Sequence, residues 1–200
     1  MNGNGASDLV LAIICGWIVV TRLGRQPGFA LAALLIGAAA ALGTLWFSGI
    51  HLIAGPYRFL SLLSACAGFP LLAWSLRWPE DPIAAKMTGA VSMILFIGGI
   101  GMAATLLSDP KSASVIAGLS ALLIMVTMLQ RANLLGIAGA TSLLIAMLAA
   151  AIGSTAAFNA TVVLHLGLAT ALGLFALASD RDARHKKSRL PDPSASGSGT

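Results

Sequence analysis

Long apolar blocks separated by short polar connections fill most of the chain, and none shows the alternation of period two that a half-buried strand needs. The first five cover residues 9–20, 29–53, 57–76, 83–107 and 113–129. Residues 134–179 then form an uncharged run of 46, about 69 Å if wholly helical, more than twice the roughly 30 Å hydrocarbon thickness. That run must hold two spans. Gly153-Ser154-Thr155 is the best break, giving spans at 134–152 and 157–178. The pattern predicts an all-α integral membrane protein with seven transmembrane helices: in lipid only helices and closed barrels pair every backbone group, and barrels require alternation.

The connections carry the punctuation. Arg22, Arg25 and Pro27 mark the first turn, with Pro27 suited to the first position of a helix, and Gly55-Pro56 breaks the chain after the second span. Pro70 is expected to kink the third helix. Trp74 and Trp78, in and beside the segment Arg77-Trp78-Pro79-Glu80-Asp81-Pro82, suit an interfacial belt, and Gln130-Arg131-Ala132-Asn133 reads as a tight hairpin. The apolar part of the first span is twelve residues, short of the roughly 20 needed to cross. It must draw Ala6, Ser7 and Asp8 toward the bilayer, while Ser7-Asp8 also suits a helix N-cap. Gly98-Gly99-Ile100-Gly101 follows no strand, so it reads as a packing surface or local bend and not as a dinucleotide fingerprint.

Charge fixes an orientation. With the N-terminus outside and the C-terminus cytoplasmic, ten basic residues fall on the cytoplasmic side and only Arg58 and Lys111 outside, the bias of an inner-membrane, multi-pass protein. The seven-helix domain is expected over 1–179 and a basic, then disordered, cytoplasmic tail over 180–200. The N-terminus lacks the basic region of a secretory signal peptide, so the first span is expected to stay attached. With 58% hydrophobic and 10% charged residues the chain is not an ordinary soluble domain. The net charge of +5 is spread over connections and tail, which argues for topology and for anionic lipid headgroups at the tail rather than for nucleic acid. Cys15 and Cys66 sit mid-span without metal spacing and read as small buried hydrophobes.

Candidate chemistry comes from helical rise. Measured from the cytoplasmic boundary, Asp8 and His165 both lie about 21 Å up, Ser64 about 20 Å and Thr44 about 22 Å, so four polar groups share one level. Asp8 is the natural partner of His165, since a carboxylate orients an imidazole and raises its basicity, and an ionisable side chain within the membrane marks a functional site. His51 stands about 33 Å up, some 12 Å above His165. Thr44, Ser48 and His51 fall on one face of a continuous helix, and Tyr57, Ser61 and Ser64 form a stripe on the next. These predict a polar cleft open to the periplasm, with His51, Ser48, Tyr57 and Ser61 at its mouth and Asp8, Thr44, Ser64 and His165 at its floor. Asn159 faces away from His165 and is expected to cap or line the outer rim.

Seven spans, Asp8 opening the first, Ser48-Gly49-Ile50-His51 ending the second, and Asn159 with His165 in the last resemble a group of uncharacterised bacterial seven-helix proteins that are distantly similar to the CREST superfamily of membrane hydrolases, which includes the alkaline ceramidases. The resemblance implies zinc-dependent amide or ester hydrolysis, with Ser48 and His51 as the second-helix pair and His51 and His165 among the metal ligands. The chain departs from that pattern in the last helix, where Thr161 and Ala169 flank His165 by one turn and neither carries an imidazole; His185 lies in the tail. The reading that follows is a membrane protein that binds or hydrolyses a lipid-like amphiphile, with His165 or His51 as metal ligand or general base, Asp8 as orienting carboxylate and Ser48 or Ser64 as a nearby donor. Its rivals are a non-catalytic module that assembles with a membrane partner or a second copy through Gly/Ala-rich faces, and a transporter or haem carrier, disfavoured by the lack of an inverted repeat and by the depth mismatch of His51 and His165, which makes joint haem ligation awkward.

Overall fold

A computed structural model of the chain describes residues 3–107, 111–155 and 159–188, the last seven of these as backbone only. It is helical throughout apart from its turns. Seven helices are long and apolar enough to cross a membrane: α1 (Gly3–Arg22), α2 (Pro27–Phe47), α3 (His51–Arg77), α4 (Met87–Leu107), α5 (Ser112–Gln130), α6 (Leu134–Ile152) and α7 (Ala160–Arg181).

The short first span is completed by extension. Helix α1 begins at Gly3, so its twenty residues reach about 30 Å, and Asp8 sits in the second turn rather than at an N-cap. The hydroxyl of Ser7 donates instead to the Asn4 carbonyl at 2.9 Å. Helix α2 stops at Phe47, six residues before the end predicted from hydropathy. Gly49 takes φ +98°, a left-handed conformation that ends the helix, and His51–Ile53 then form a 3₁₀ turn at the head of α3. Ser48, whose amide still bonds the Thr44 carbonyl, stays one turn above Thr44, whereas His51, beyond the turn, does not continue that face. The Gly55-Pro56 pair, expected to break the chain, lies in the first turn of the helical segment Ala54–Leu63, where a missing proline N–H leaves no bond unmade.

Pro70 is accommodated by a wide, π-helical turn over Ser64–Gly68 immediately before it, and a second such turn, Ile94–Gly98, interrupts α4. The two touch. A β-carbon on Gly98 would stand 2.9 Å from that of Ala67, and one on Gly101 would stand 2.8 Å from that of Cys66, so the glycine cluster is a packing surface. Helix α4 starts later than predicted, because Pro82–Ala85 form a separate turn capped by Asp81 and Lys86 is extended. At the α5–α6 hairpin Asn133 caps α6 by accepting from the Gly136 amide at 3.0 Å.

Helix α6 ends as the sequence suggests, with Gly153 at φ +82°. Helix α7 starts at Ala160 rather than 157, capped by Asn159, whose Oδ1 accepts from the Thr161 and Val162 amides at 3.1 and 3.3 Å. Its backbone stays helical to Ser188, so the basic segment assigned to a tail prolongs the last helix. The Pro/Ser/Gly-rich residues 191–200, expected to be disordered, lie outside the described residues.

Within lipid, helices are held by close packing and interhelical hydrogen bonds rather than by exclusion of water. The bundle shows both. Gly37 admits Cys15, Gly139 admits Phe175 and Gly167 admits Ala146, and the Ser142 hydroxyl donates to the Gly167 carbonyl at 3.0 Å. The first and last helices run side by side in the same direction, joined at three heights. Asn159 Nδ2 donates to Asn4 Oδ1 at 2.7 Å, His165 meets Asp8, and Arg22 Nη2 donates both to the Ala176 carbonyl at 2.8 Å and to Asp180 at 2.5 Å.

Candidate functional site

Asp8 and His165 form the middle of these three links. His165 Nδ1 stands 2.7 Å from Asp8 Oδ1, with the two side chains 14% and 1% exposed. The distance is that of a charge-assisted hydrogen bond, although the ring N–H is not aligned with the carboxylate and Nδ1 makes no hydrogen bond by strict geometry. The separation defines the pair. With Nδ1 turned to Asp8, Nε2 is the nitrogen left for incoming groups.

The second carboxylate oxygen is less well served. Asp8 Oδ2 is buried without a hydrogen-bond partner, and it lies directly over α2, where a β-carbon on Gly43 would come within 2.3 Å of it. Any larger residue at position 43 would occupy the carboxylate's place. A half-satisfied buried carboxylate is costly, and such groups are retained where function needs them.

The pair faces a cavity of about 570 Å³ built by six of the seven helices. Asp8 and Leu11 come from α1, Ile36, Ala39 and Ala40 from α2, and Tyr57, Ser61, Ser64, Ala65 and Phe69 from α3. The remaining wall is Ala113, Ser114, Ala117, Gly118 and Leu122 of α5, Leu144, Met147, Leu148, Ala150 and Ala151 of α6, and Leu164, His165 and Leu168 of α7. Three of the four hydroxyls, those of Tyr57, Ser61 and Ser64, are on α3 and the fourth, Ser114, is on α5; apart from these, Asp8 and His165, the lining is apolar. Tyr57 also belongs to an aromatic cluster, stacked on Trp46 with centroids 6.5 Å apart and edge-on to Phe47.

The structure thus brings together Asp8, His165, Ser64, Ser61 and Tyr57, and separates the rest. Thr44 spends its hydroxyl on the Ala40 carbonyl at 3.1 Å, and Ser48 spends its own on the Thr44 carbonyl at 2.7 Å. Neither lines the cavity. The imidazole of His51 packs edge-on against Trp46, 4.7 Å between centroids, and is likewise outside the lining. Asn159 caps α7 above the site. Two contributors escaped the sequence reading. Ser114 follows Ser112 at the start of α5 with nothing to distinguish it; Gly43 continues the small positions Ala39 and Ala40 at helical spacing, a sign of close approach that did not reveal what approaches.

As a zinc site the donors fall short. Among the described residues no group of three or more His, Cys, Asp or Glu side chains gathers in one place, whereas a catalytic zinc needs three protein ligands and an open position. The chemistry available is that of an oriented imidazole beside hydroxyls in an apolar chamber. Comparisons with protein-family models, with curated proteins and with solved structures gave no match to this chain, so its site is read from geometry and chemistry alone.

Proposed function

We propose that the cavity binds a lipid-like amphiphile and that His165, held by Asp8, acts as general base in hydrolysing an ester or amide at its polar end. The observation that carries this reading is the 2.7 Å contact between His165 and Asp8 on the wall of a largely aliphatic chamber. Nε2 takes a proton from water as the water oxygen adds to the carbonyl carbon. The carbon–oxygen or carbon–nitrogen bond then breaks as that proton passes to the departing alcohol or amine, leaving a carboxylic acid and a neutral ring. Tyr57, Ser61 and Ser64 are the hydroxyl donors for the carbonyl oxygen. The ten-to-two distribution of basic residues supports an inner-membrane protein with its N-terminus and the cavity's polar side toward the periplasm.

The rival reading, an assembly module using Gly/Ala faces, has less to support it. Gly28, Gly37, Gly43, Gly98, Gly101, Gly139 and Gly167 already meet neighbours within the chain. The deciding experiment compares wild type with His165→Gln and Asp8→Asn on a panel of ester and amide amphiphiles, with bound lipid identified by mass spectrometry. Hydrolysis is expected to fall by roughly 10²–10⁴ in His165→Gln, the usual weight of a general base, with bound amphiphile retained. Equal turnover in wild type and His165→Gln, or none by wild type on any substrate, refutes hydrolysis; loss of no bound lipid in either variant together with that result leaves the cavity without a role for the pair.

A further inference from the structure

A second hollow, of about 300 Å³, lies at the other end of the bundle, between the start of α2, the end of α3, the α5–α6 hairpin and Ser179 of α7. Its polar lining is Arg25, Gln26, Ser75, Glu80, Arg131 and Ser179. Two guanidinium groups thus meet one carboxylate, and the balance favours an anion. Helix α2 adds its positive end: Pro27 opens this twenty-one-residue helix, and Gln26 at the N-cap makes no side-chain bond to the first-turn amides.

Ser75 is an independent sign. It is 7% exposed, yet its hydroxyl has no hydrogen-bond partner in the protein, and that oxygen stands over the first turn of α2, 2.4 Å from where a β-carbon on Gly28 would be. Most helical serines bond the carbonyl one turn back, as Ser48 and Ser120 do in this chain. The buried Gln26 carbonyl oxygen is also without a partner, and the amide can be turned to present its NH₂. Arg131 is steadied by a bond to the Arg77 carbonyl at 2.9 Å. The height is that of a membrane–water boundary: Trp74 and Trp78 pack at 4.4 Å between centroids, and the Arg77 guanidinium lies 5.6 Å from the Trp78 ring.

We infer that this hollow is a phosphate site, walled by Arg25 and Arg131, with the Ser75 hydroxyl and the first amides of α2 as donors. Basic pockets between spans at this level take phospholipid headgroups, and free phosphate presents the same oxygens. Native mass spectrometry of the protein released from nanodiscs of equal phosphatidylglycerol and phosphatidylcholine tests the first source. Wild type is expected to retain phosphatidylglycerol preferentially, Arg25→Gln and Arg131→Gln to lose about five-fold of that preference each, and Ser75→Ala to lose part of it. Arg58→Gln, exposed and outside the lining, should behave as wild type. Titration of the lipid-stripped protein with inorganic phosphate tests the second source, and binding lost in Ser75→Ala assigns the site to free phosphate as well. The inference is overturned if wild type prefers neither lipid and binds no phosphate, or if Arg58→Gln falls as far as Arg25→Gln. Because Arg131 also holds the hairpin, Arg25→Gln and Ser75→Ala decide the matter where Arg131→Gln is unstable.

Discussion

Replacing Gly43 by alanine isolates the Asp8–His165 pair without touching either member. On an ordinary helix the change gains about 0.5–1 kcal/mol, since glycine loses more backbone freedom on folding. At this position the added carbon would stand 2.3 Å from Asp8 Oδ2, 2.9 Å from its Cγ and 3.2 Å from a ring carbon of Tyr57. The carboxylate must shift away from α2, which disturbs the His165 contact, and overpacking of this kind costs about 1–3 kcal/mol. The clash outweighs the propensity gain, so Gly43→Ala is expected to destabilise by about 1–2 kcal/mol in reversible unfolding from mixed micelles. Gly16→Ala on α1, with nothing within 4 Å of the new carbon, supplies the baseline and should stabilise. Removing the obstacle then tests the cause: with Asp8→Ala in the same chain the alanine at 43 has room, and the double variant should fall short of the summed losses by about 0.5–3 kcal/mol, the range for residues in contact. Strict additivity, or a Gly43→Ala protein as stable as Gly16→Ala, refutes the packing on which the site is built.

Two further outcomes follow from contacts at other heights. Arg22 is 5% exposed and binds both the Ala176 carbonyl and Asp180, so Arg22→Gln is expected to cost about 1–3 kcal/mol in the same unfolding assay. Asp180→Asn should cost less, because that side chain is 37% exposed and solvent screens it; the reverse order would mean the arginine is not the anchor. His51→Ala loses the edge contact with Trp46, about 0.5–1.5 kcal/mol, yet hydrolysis and amphiphile retention should be unchanged. A drop matching that of His165→Gln would restore His51 to the site.

The span pattern was legible because hydropathy needs only counting, and the Asp8–His165 pairing because a fixed rise per residue turns sequence distance into depth. The same arithmetic failed at His51. It assumed an unbroken helix through Gly49, where a left-handed turn rotates and shifts everything that follows. Thr44 was placed at the right level, but level says nothing about a hydroxyl that turns back to its own carbonyl. The wide turn at 64–68 is foreshadowed only by Pro70, and its partner in α4 has no proline at all. Gly43 shows the remaining limit: a small residue announces that something comes close, while the identity of the visitor, here a carboxylate from another helix, belongs to tertiary packing.

The seam between α1 and α7 has a consequence for biosynthesis. Its links join residues 154 to 158 positions apart, the two extremes of the described bundle. At translation rates of roughly 5–20 residues per second, about 8–30 s separate the emergence of Asp8 from that of its imidazole. For that interval the nascent chain holds a carboxylate at membrane depth without its imidazole, although α1 can already pack on α2 at Gly37 and Gly43. A chain truncated before α7 would be left with this acid exposed to lipid, a mark by which an unfinished copy differs from a finished one.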